Sequence, residues 1–359
     1  MTLEESDMDW PCEPAGHGVI ATGSVSSCAP FWRTFVRSPV VMQWIEHGYR
    51  LLWTSEAPQQ RELRNAPSAL EHREFVTTAV AEMLAEKAIT LLPPGEKPWV
   101  VSPLGVVPKK GAGKFRLIVN MRYVNRHLGK KVFKFEGLKD LSDLAERGDH
   151  AVSYDLMSGY YHVSLHPRSR TYVGFMWEGR YYVYNCLPFG LSTAPWDFSK
   201  VMRELVMLWR KEGIRVLPYL DDFLFMARGF WQCVRLARKV ERYFVHAGLR
   251  INALKCVTRP TQQLIQLGFD VDFVDGKFRV PVNRWEALCE AAEGLVGARH
   301  GRVQARRLAC LTGTVLSMHL SWGPVTQLYT RHLYALIDSV PSLNCWVTLT
   351  DGALNELIF

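Results

Sequence analysis

The chain has 359 residues, 48% hydrophobic and 22% charged, with 43 Lys and Arg against 35 Asp and Glu for a net charge of +8. This is globular composition with enough chain for two or three cores, and the basic excess suits a polyanionic partner such as nucleic acid. Eight cysteines without a Cys-x-x-Cys pair exclude a disulfide framework and a zinc module, an N-terminus carrying Glu4, Glu5, Asp7 and Asp9 is no secretory signal, and no uncharged apolar run reaches membrane-spanning length.

Residues 1–30, rich in Gly, Ser, Ala and Pro, read as a flexible leader. Residues 31–68 hold scattered aromatics (Trp32, Phe35, Trp44, Tyr49, Trp53) and read as an irregular arm on the body. Ala69 to Ala88 carries a stripe of Phe75, Val76, Ala79, Val80, Met83 and Leu84, an amphipathic helix, and Pro93-Pro94-Gly95 forces a loop. Val100–Val107 and Phe115–Val119 predict a hairpin around the cationic tip Lys109 to Lys114. Basic residues crowd on from there: Arg116, Arg122, Arg126, Lys130, Lys131, Lys134 and Lys139.

Ala151–Leu156 reads as a short buried strand that delivers Asp155 at its end, followed by a turn at Gly159. Thr171–Trp177 and Arg180–Tyr184 pair across Glu178-Gly179. After the loop Leu187-Pro-Phe-Gly190, Ser192 or Thr193 caps a helix with Pro195 in its first turn, running to about Lys211. Ile214 to Met226 is a hairpin with its bend placed at Pro218, Phe230–Ala247 a helix ended by Gly248, and Leu249–Asn252 and Leu264–Asp272 short strands. From Lys277 the pattern turns helical and basic (Arg299, Arg302, Arg306, Arg307), a small bundle ending near Val340. Strands interrupted by helices make the class α+β.

The stretch with the sharpest chemistry is Tyr219-Leu220-Asp221-Asp222. A bare Asp-Asp pair is most often a solvated turn, but here Tyr219, Leu220, Phe223 and Leu224 enclose it. Two acids confined together repel, and a hard divalent cation removes the conflict. Adjacent strands would bring Asp155 beside Asp221, and two carboxylates so placed can hold two Mg2+ ions for phosphoryl transfer.

Three ordered segments, Ser153-Tyr-Asp-Leu-Met-Ser-Gly-Tyr-Tyr-His162, Leu187-Pro-Phe-Gly-Leu-Ser-Thr-Ala-Pro195 and Tyr219-Leu-Asp-Asp222, resemble the palm motifs of reverse transcriptases. Arg116 to Asn125 resembles the preceding fingers motif, and Ala247–Asn252 with Lys255, then Leu267–Asp272, resemble the two motifs that follow. The Leu-Pro-Phe-Gly-Leu-Ser form and the aromatic lead-in from Phe31 are most similar to retrotransposon enzymes, particularly the tyrosine-recombinase (DIRS-type) elements.

The resemblance implies a right-hand polymerase: fingers at 69–150, palm at 151–275 with 165–190 partly fingers, and a helical thumb at 276–345, with 346–359 opening a further domain. It implies an RNA-directed DNA polymerase that uses two Mg2+ ions, or Mn2+, to add dNTPs to a primer on an RNA or DNA template. Asp155, Asp221 and Asp222 would form the metal site, with the Leu156 carbonyl facing it. Tyr160 would be the steric gate against a ribose 2′-hydroxyl. Lys109 and Arg116 would hold the triphosphate, Phe189 and Gly190 would underlie the nucleotide, Lys255 would protonate departing pyrophosphate, Leu267–Asp272 would grip the primer end, and the thumb arginines would track phosphates.

Asn120 stands where many relatives carry Asp, and Phe189 where retroviral enzymes carry Gln. No acidic cluster for a ribonuclease H site follows the thumb, so the expectation is a piece of a longer retroelement polyprotein or an eroded copy. The cysteines are expected to be reduced and mostly buried, in the cytoplasm or nucleus. Two other readings stay open: a relic or domesticated protein that binds nucleic acid without polymerising, and an RNA-templated RNA polymerase, against which the aromatic at Tyr160 argues.

Overall fold

The computed structural model describes residues 22–109, 113–298 and 302–358. They divide into two compact units, one made of residues 22–136, 152–225 and 231–259, the other of 137–151, 226–230 and 260–358.

The first unit contains most of a four-stranded sheet whose strands run in the order Val257–Thr261, Asp149–Asp155, Asp222–Arg228, Arg215–Tyr219. Phe223, Leu224 and Phe225 are all fully buried. Side chains alternate between sheet faces, so three buried neighbours mean that both faces are covered. The helices Ala194–Lys211 and Phe230–His246 supply part of that cover. Trp209 stands 5.7 Å from Phe223, 5.0 Å from Phe225 and 5.6 Å from Phe244. Pro218 lies within the edge strand, the place in a sheet where proline is tolerated. The bend falls instead at Leu220 and Asp221.

A second sheet runs Arg61–Glu62, Val100–Ser102, Gly174–Trp177, Arg180–Tyr184, Ile89–Leu91. The expected pairing across Glu178-Gly179 is present, from Gly174↔Val183 to Trp177↔Arg180. The expected strand Val100–Val107 is two strands. Pro103 separates Val100–Ser102, in this sheet, from Leu104–Pro108, which pairs with Phe115–Val119 as the basic hairpin. Lys110 to Ala112 of its tip lie outside the described residues. The helix expected from Ala69 to Ala88 is likewise broken, into Pro67–Glu71 and Arg73–Ala85, by a non-helical His72 (φ −109°, ψ 45°).

The leader ends earlier than composition suggests. Residues 1–21 lie outside the described residues, but Ser24–Ser27 and Ala29–Arg33 are helical turns with Val25, Cys28 and Ala29 buried. Their small side chains allow close packing, where composition alone read flexibility. The arm beyond holds a helix, Pro39–His47. Trp32 is fully buried and donates from Nε1 to the Ala247 carbonyl at 2.9 Å, the Gly23 N–H bonds the Tyr161 carbonyl at 2.8 Å, and the Tyr49 N–H bonds the Ser164 carbonyl at 2.8 Å.

Asp197, on the helix Ala194–Lys211, is fully buried beside Tyr49 and Thr193. Its two carboxyl oxygens and both neighbouring hydroxyls lack a well-formed hydrogen bond among the described residues. Burial pushes the carboxyl up to about 7, offset in part by the two hydroxyls and the Lys131 charge. The folded state therefore keeps a proton that the unfolded chain gives up near its ordinary value of 3.8. This stability is complete below that value and is lost as pH rises through about 7. Asp197→Asn is expected to raise the unfolding midpoint at pH 8 by roughly 1–3 kcal/mol of stability and to change little at pH 4. Thermal melts at the two pH values check it, and a variant less stable than its parent at pH 8 would contradict it.

The second unit pairs Gln263–Gln266, Phe269–Asp272 and Lys277–Arg279 in an antiparallel sheet. Asp272 accepts from the Val274 and Asp275 N–H groups and from Gln263 and Arg279. These donors hold its carboxyl down at about 2. A separate core gathers Leu288, Leu295, Leu308, Leu311 and Leu333 from the helices Val282–Val296, Ala305–Ser317 and Arg331–Asp338. The same core includes Val347, Leu349, Ala353 and Leu357. Residues 346–358 contribute to this bundle, with Trp346–Thr348 paired to Arg302–Gln304. A three-residue strand is too short to announce itself by alternation.

Seven of the cysteines are described, with no disulfide among the described residues. Cys28, Cys186 and Cys233 are buried, Cys256, Cys289 and Cys345 partly so, and Cys310 is exposed, fewer buried than expected. No helix among the described residues is long and apolar enough to cross a membrane.

Candidate active site

The site is built on the bend between Arg215–Tyr219 and Asp222–Arg228. Leu220 takes a left-handed backbone conformation (φ +57°), which costs a residue with a Cβ about 1 kcal/mol. That conformation turns the Asp221 carbonyl onto the Leu156 N–H at 2.9 Å. The bend is thereby tied to the residue that follows Asp155, at the end of the strand Asp149–Asp155.

Asp221 senses Asp155, and Asp222 senses both. Burial, then the Asp155 charge, raises the Asp221 carboxyl above the usual range. Burial, then Asp221 and Asp155, pushes Asp222 up to about 6, and Asp222 lies within hydrogen-bonding reach of Asp155. Lys255 answers the charge, donating from Nζ to both Asp155 oxygens at 3.1 and 3.3 Å while remaining largely exposed. The backbone places it there: Asn252 N–H bonds the Asp155 carbonyl at 2.7 Å, and Lys255 N–H bonds the Asn252 carbonyl at 2.9 Å. Among the described residues no three His, Cys, Asp or Glu side chains form a ready-made metal cluster. The Leu156 carbonyl accepts no hydrogen bond among them.

The turn after Asp155 closes against the same acids. A Cβ on Gly159 would sit 2.9 Å from the Asp221 Cβ, so only glycine lets the two backbones approach this closely. Tyr160 is half-buried, and burial, then Asp221 and Tyr219, pushes its hydroxyl up to about 12. Its ring lies 4.9 Å from Phe189 and 5.6 Å from Phe198. Tyr161 instead points into the core against Tyr184. Phe189 is half exposed beside Tyr160. Gly190 is left-handed (φ +95°), and a Cβ there would meet the Val119 carbonyl oxygen at 2.7 Å. Lys109 and Arg116 are exposed on the basic hairpin, paired with no carboxylate among the described residues. In the second unit Arg306 and Arg307 bond the Asn344 side chain and the Gly294 carbonyl, Arg302 is exposed, and Arg299 lies outside the described residues.

Two residues of the site carried no role in the sequence reading. Asn125 donates to the Gly190 carbonyl and accepts from the Ser192 N–H, both at 2.9 Å, and so clamps the loop that holds Phe189. His162 is fully buried between the Gly159 carbonyl and the Arg250 N–H. Long-range backbone partners leave no local signal, although each residue sits at the end of a motif. Asn120 accepts from the Arg122 N–H at 3.2 Å, a local turn.

The α+β unit thus presents acids on a hairpin bend next to an aromatic-lined turn. A foamy viral protease-reverse transcriptase solved in complex with double-stranded DNA superposes with a TM-score of 0.69 at 17% identity, covering 98% of this chain and 62% of that one. Its counterpart in complex with an RNA/DNA hybrid gives 0.65 at 17% identity over 86% of this chain and 38% of that one. Residues 107–271 match the model of the family described as reverse transcriptase (RNA-dependent DNA polymerase). The chain is 26% identical over 207 residues to the genome polyprotein of Petunia vein clearing virus, which is 57% of this chain and 9% of that polyprotein. It is 31% identical over 128 residues to a retrovirus-related Pol polyprotein from transposon 412 of Drosophila melanogaster, 34% of this chain and 10% of the relative. The match thus spans about a tenth of these polyproteins.

Proposed function

We propose that this chain is an RNA-directed DNA polymerase of a retroelement, adding deoxynucleotides to a primer 3′-hydroxyl on an RNA or DNA template. The observation that carries this reading is the bend of Asp221 and Asp222 tied by the Leu156 N–H to the end of the Asp155 strand, where burial and neighbouring acids raise both Asp221 and Asp222, beside the half-buried ring of Tyr160. The donor set suits hard divalent cations: three carboxylates in electrostatic contact and a Leu156 carbonyl with no other partner. Two Mg2+ ions, or Mn2+, held by Asp155, Asp221 and Asp222 would activate the attacking hydroxyl and stabilise the leaving oxygen.

The chain's own groups do the rest. Tyr160 and Phe189 form an aromatic wall for the sugar and base, and Gly190 lets backbone approach the nucleotide. Lys109 and Arg116 supply positive charge for the triphosphate. Lys255 balances Asp155 and would donate a proton to departing pyrophosphate. Residues 69–150 would act as fingers, 151–275 as palm and 276–345 as thumb, with Leu267–Asp272 at the primer end and Arg302 on the duplex phosphates. The relatives are polyproteins, which supports a longer parent chain with a ribonuclease H domain. The Leu187–Ser192 loop supports the DIRS-type subgroup. An intracellular site of action, in cytoplasm or nucleus, would supply the dNTPs.

Primer extension on an RNA template with purified protein, Mg2+ or Mn2+ and dNTPs tests the reading. Incorporation is expected. Zero incorporation together with template binding that weakens steeply as salt rises would replace it with a nucleic-acid-binding relic. Tyr160→Ala is expected to lower the preference for dNTP over rNTP by roughly 10- to 100-fold, the scale of one steric contact in a pocket. Competing single-nucleotide incorporation measures it, and an unchanged preference would remove Tyr160 from the gate role.

A further inference from the structure

His162 has no surface, and both ring nitrogens face backbone groups of fixed polarity. The Arg250 N–H can only donate, so Nε2 accepts at 2.9 Å. The Gly159 carbonyl can only accept, so Nδ1 carries the proton and donates at 2.8 Å. Burial pushes the imidazole down to about 4, so the ring is neutral with this single tautomer. Its two partners belong to different working parts of the site. Gly159 opens the 3-10 turn that bears Tyr160 and abuts Asp221. Arg250 starts the segment that ends in Lys255, and its carbonyl takes the Met157 N–H at 2.8 Å.

We propose that His162 is a positioning residue that couples the Tyr160 turn to the Arg250–Lys255 segment. It would hold the sugar-selecting ring and the ammonium on Asp155 in one register. The proposal rests on the polymerase reading above and deepens it. With the ring removed, two backbone groups lose their partner inside a sealed space, and the Tyr160 turn loses its own tie to the Arg250 segment, which is then held only through residues 155–157.

The two bonds separate by substitution. His162→Asn keeps an amide N–H near Nδ1 and can bond Gly159, while giving up Arg250. His162→Gln keeps a carbonyl oxygen near Nε2 and can bond Arg250, while giving up Gly159. His162→Ala loses both. The full chain is assayed for single-turnover incorporation of dNTP and rNTP on an RNA template, and for amide hydrogen exchange in residues 157–163 and 249–256. His162→Gln is expected to lose roughly tenfold in dNTP preference, the scale of one buried hydrogen bond. His162→Asn should keep that preference and lose roughly tenfold in maximal rate. His162→Ala should show both losses and faster exchange in both segments. If the two amide variants behave alike, or exchange rises in one segment only, or neither rate nor preference moves, the coupling is wrong. Should His162→Ala fail to fold, the two amide variants still decide. A wild-type chain that incorporates nothing overturns the polymerase reading, while the exchange measurement still decides the coupling.

Discussion

Asp221→Asn is expected to lower incorporation by at least roughly 1,000-fold, the scale of losing a group that acts on charge in the transition state, while the protein becomes no less stable. The two halves of this expectation have one cause. Burial and the neighbouring Asp155 already disfavour the ionised carboxyl in the folded chain. A neutral amide of the same shape removes that repulsion, so without divalent ions the unfolding midpoint at neutral pH should stay level or rise. Near pH 3, where the carboxyl is protonated in both states, the difference should vanish. The Leu156 N–H bonds the backbone carbonyl of residue 221, which the substitution leaves in place. Rapid-quench incorporation and melts in chelator check the two halves. Activity within tenfold of the parent would remove Asp221 from the chemistry.

Gly159→Ala is the second large expected effect, and it acts by geometry alone. The new methyl would stand 2.9 Å from the Asp221 Cβ, and neither atom is the free end of a flexible side chain. Gly159 is held by the turn Gly159–His162 and by the His162 ring, Asp221 by its carbonyl bond to Leu156. One of them must shift by several tenths of an ångström. Misplacing a catalytic carboxylate on that scale is expected to cost about 10- to 100-fold in rate, with overpacking taking roughly 1–3 kcal/mol of stability. Single-turnover rates with matched melts measure both. A variant with parental rates would mean that the carboxylate tolerates displacement.

The acids were legible in the sequence because their signal is local. Apolar runs on both sides of Asp221-Asp222, and a buried strand ending at Asp155, are properties of a few consecutive residues. The helix Ala194–Lys211 was legible for the same reason, with Pro195 near its start. What stayed hidden depends on distant partners. Nothing near Ser24 or Cys28 reveals that they would be packed, because Trp32 finds its acceptor 215 positions away, at Ala247. His162 and Asn125 look like motif edges until Arg250 and Gly190 are beside them. The break at His72 and the division at Pro103 turn on backbone angles and sheet partners that periodicity does not report. The last strand and helix, Trp346–Thr348 and Asp351–Ile358, were too short to show which core they would join.

The indole bond from Trp32 to Ala247, with Gly23 on Tyr161 and Tyr49 on Ser164, bears on how such chains exchange parts. A recombination event, or a cloning design, that cut the chain at residue 107 would carry away every catalytic motif yet leave behind the indole and phenol that fill holes in them. The transplanted piece would arrive with vacant apolar sockets. The heritable module is therefore larger than the stretch the family model matches, and chimeras joined before residue 22 should fold where those joined after residue 53 should precipitate.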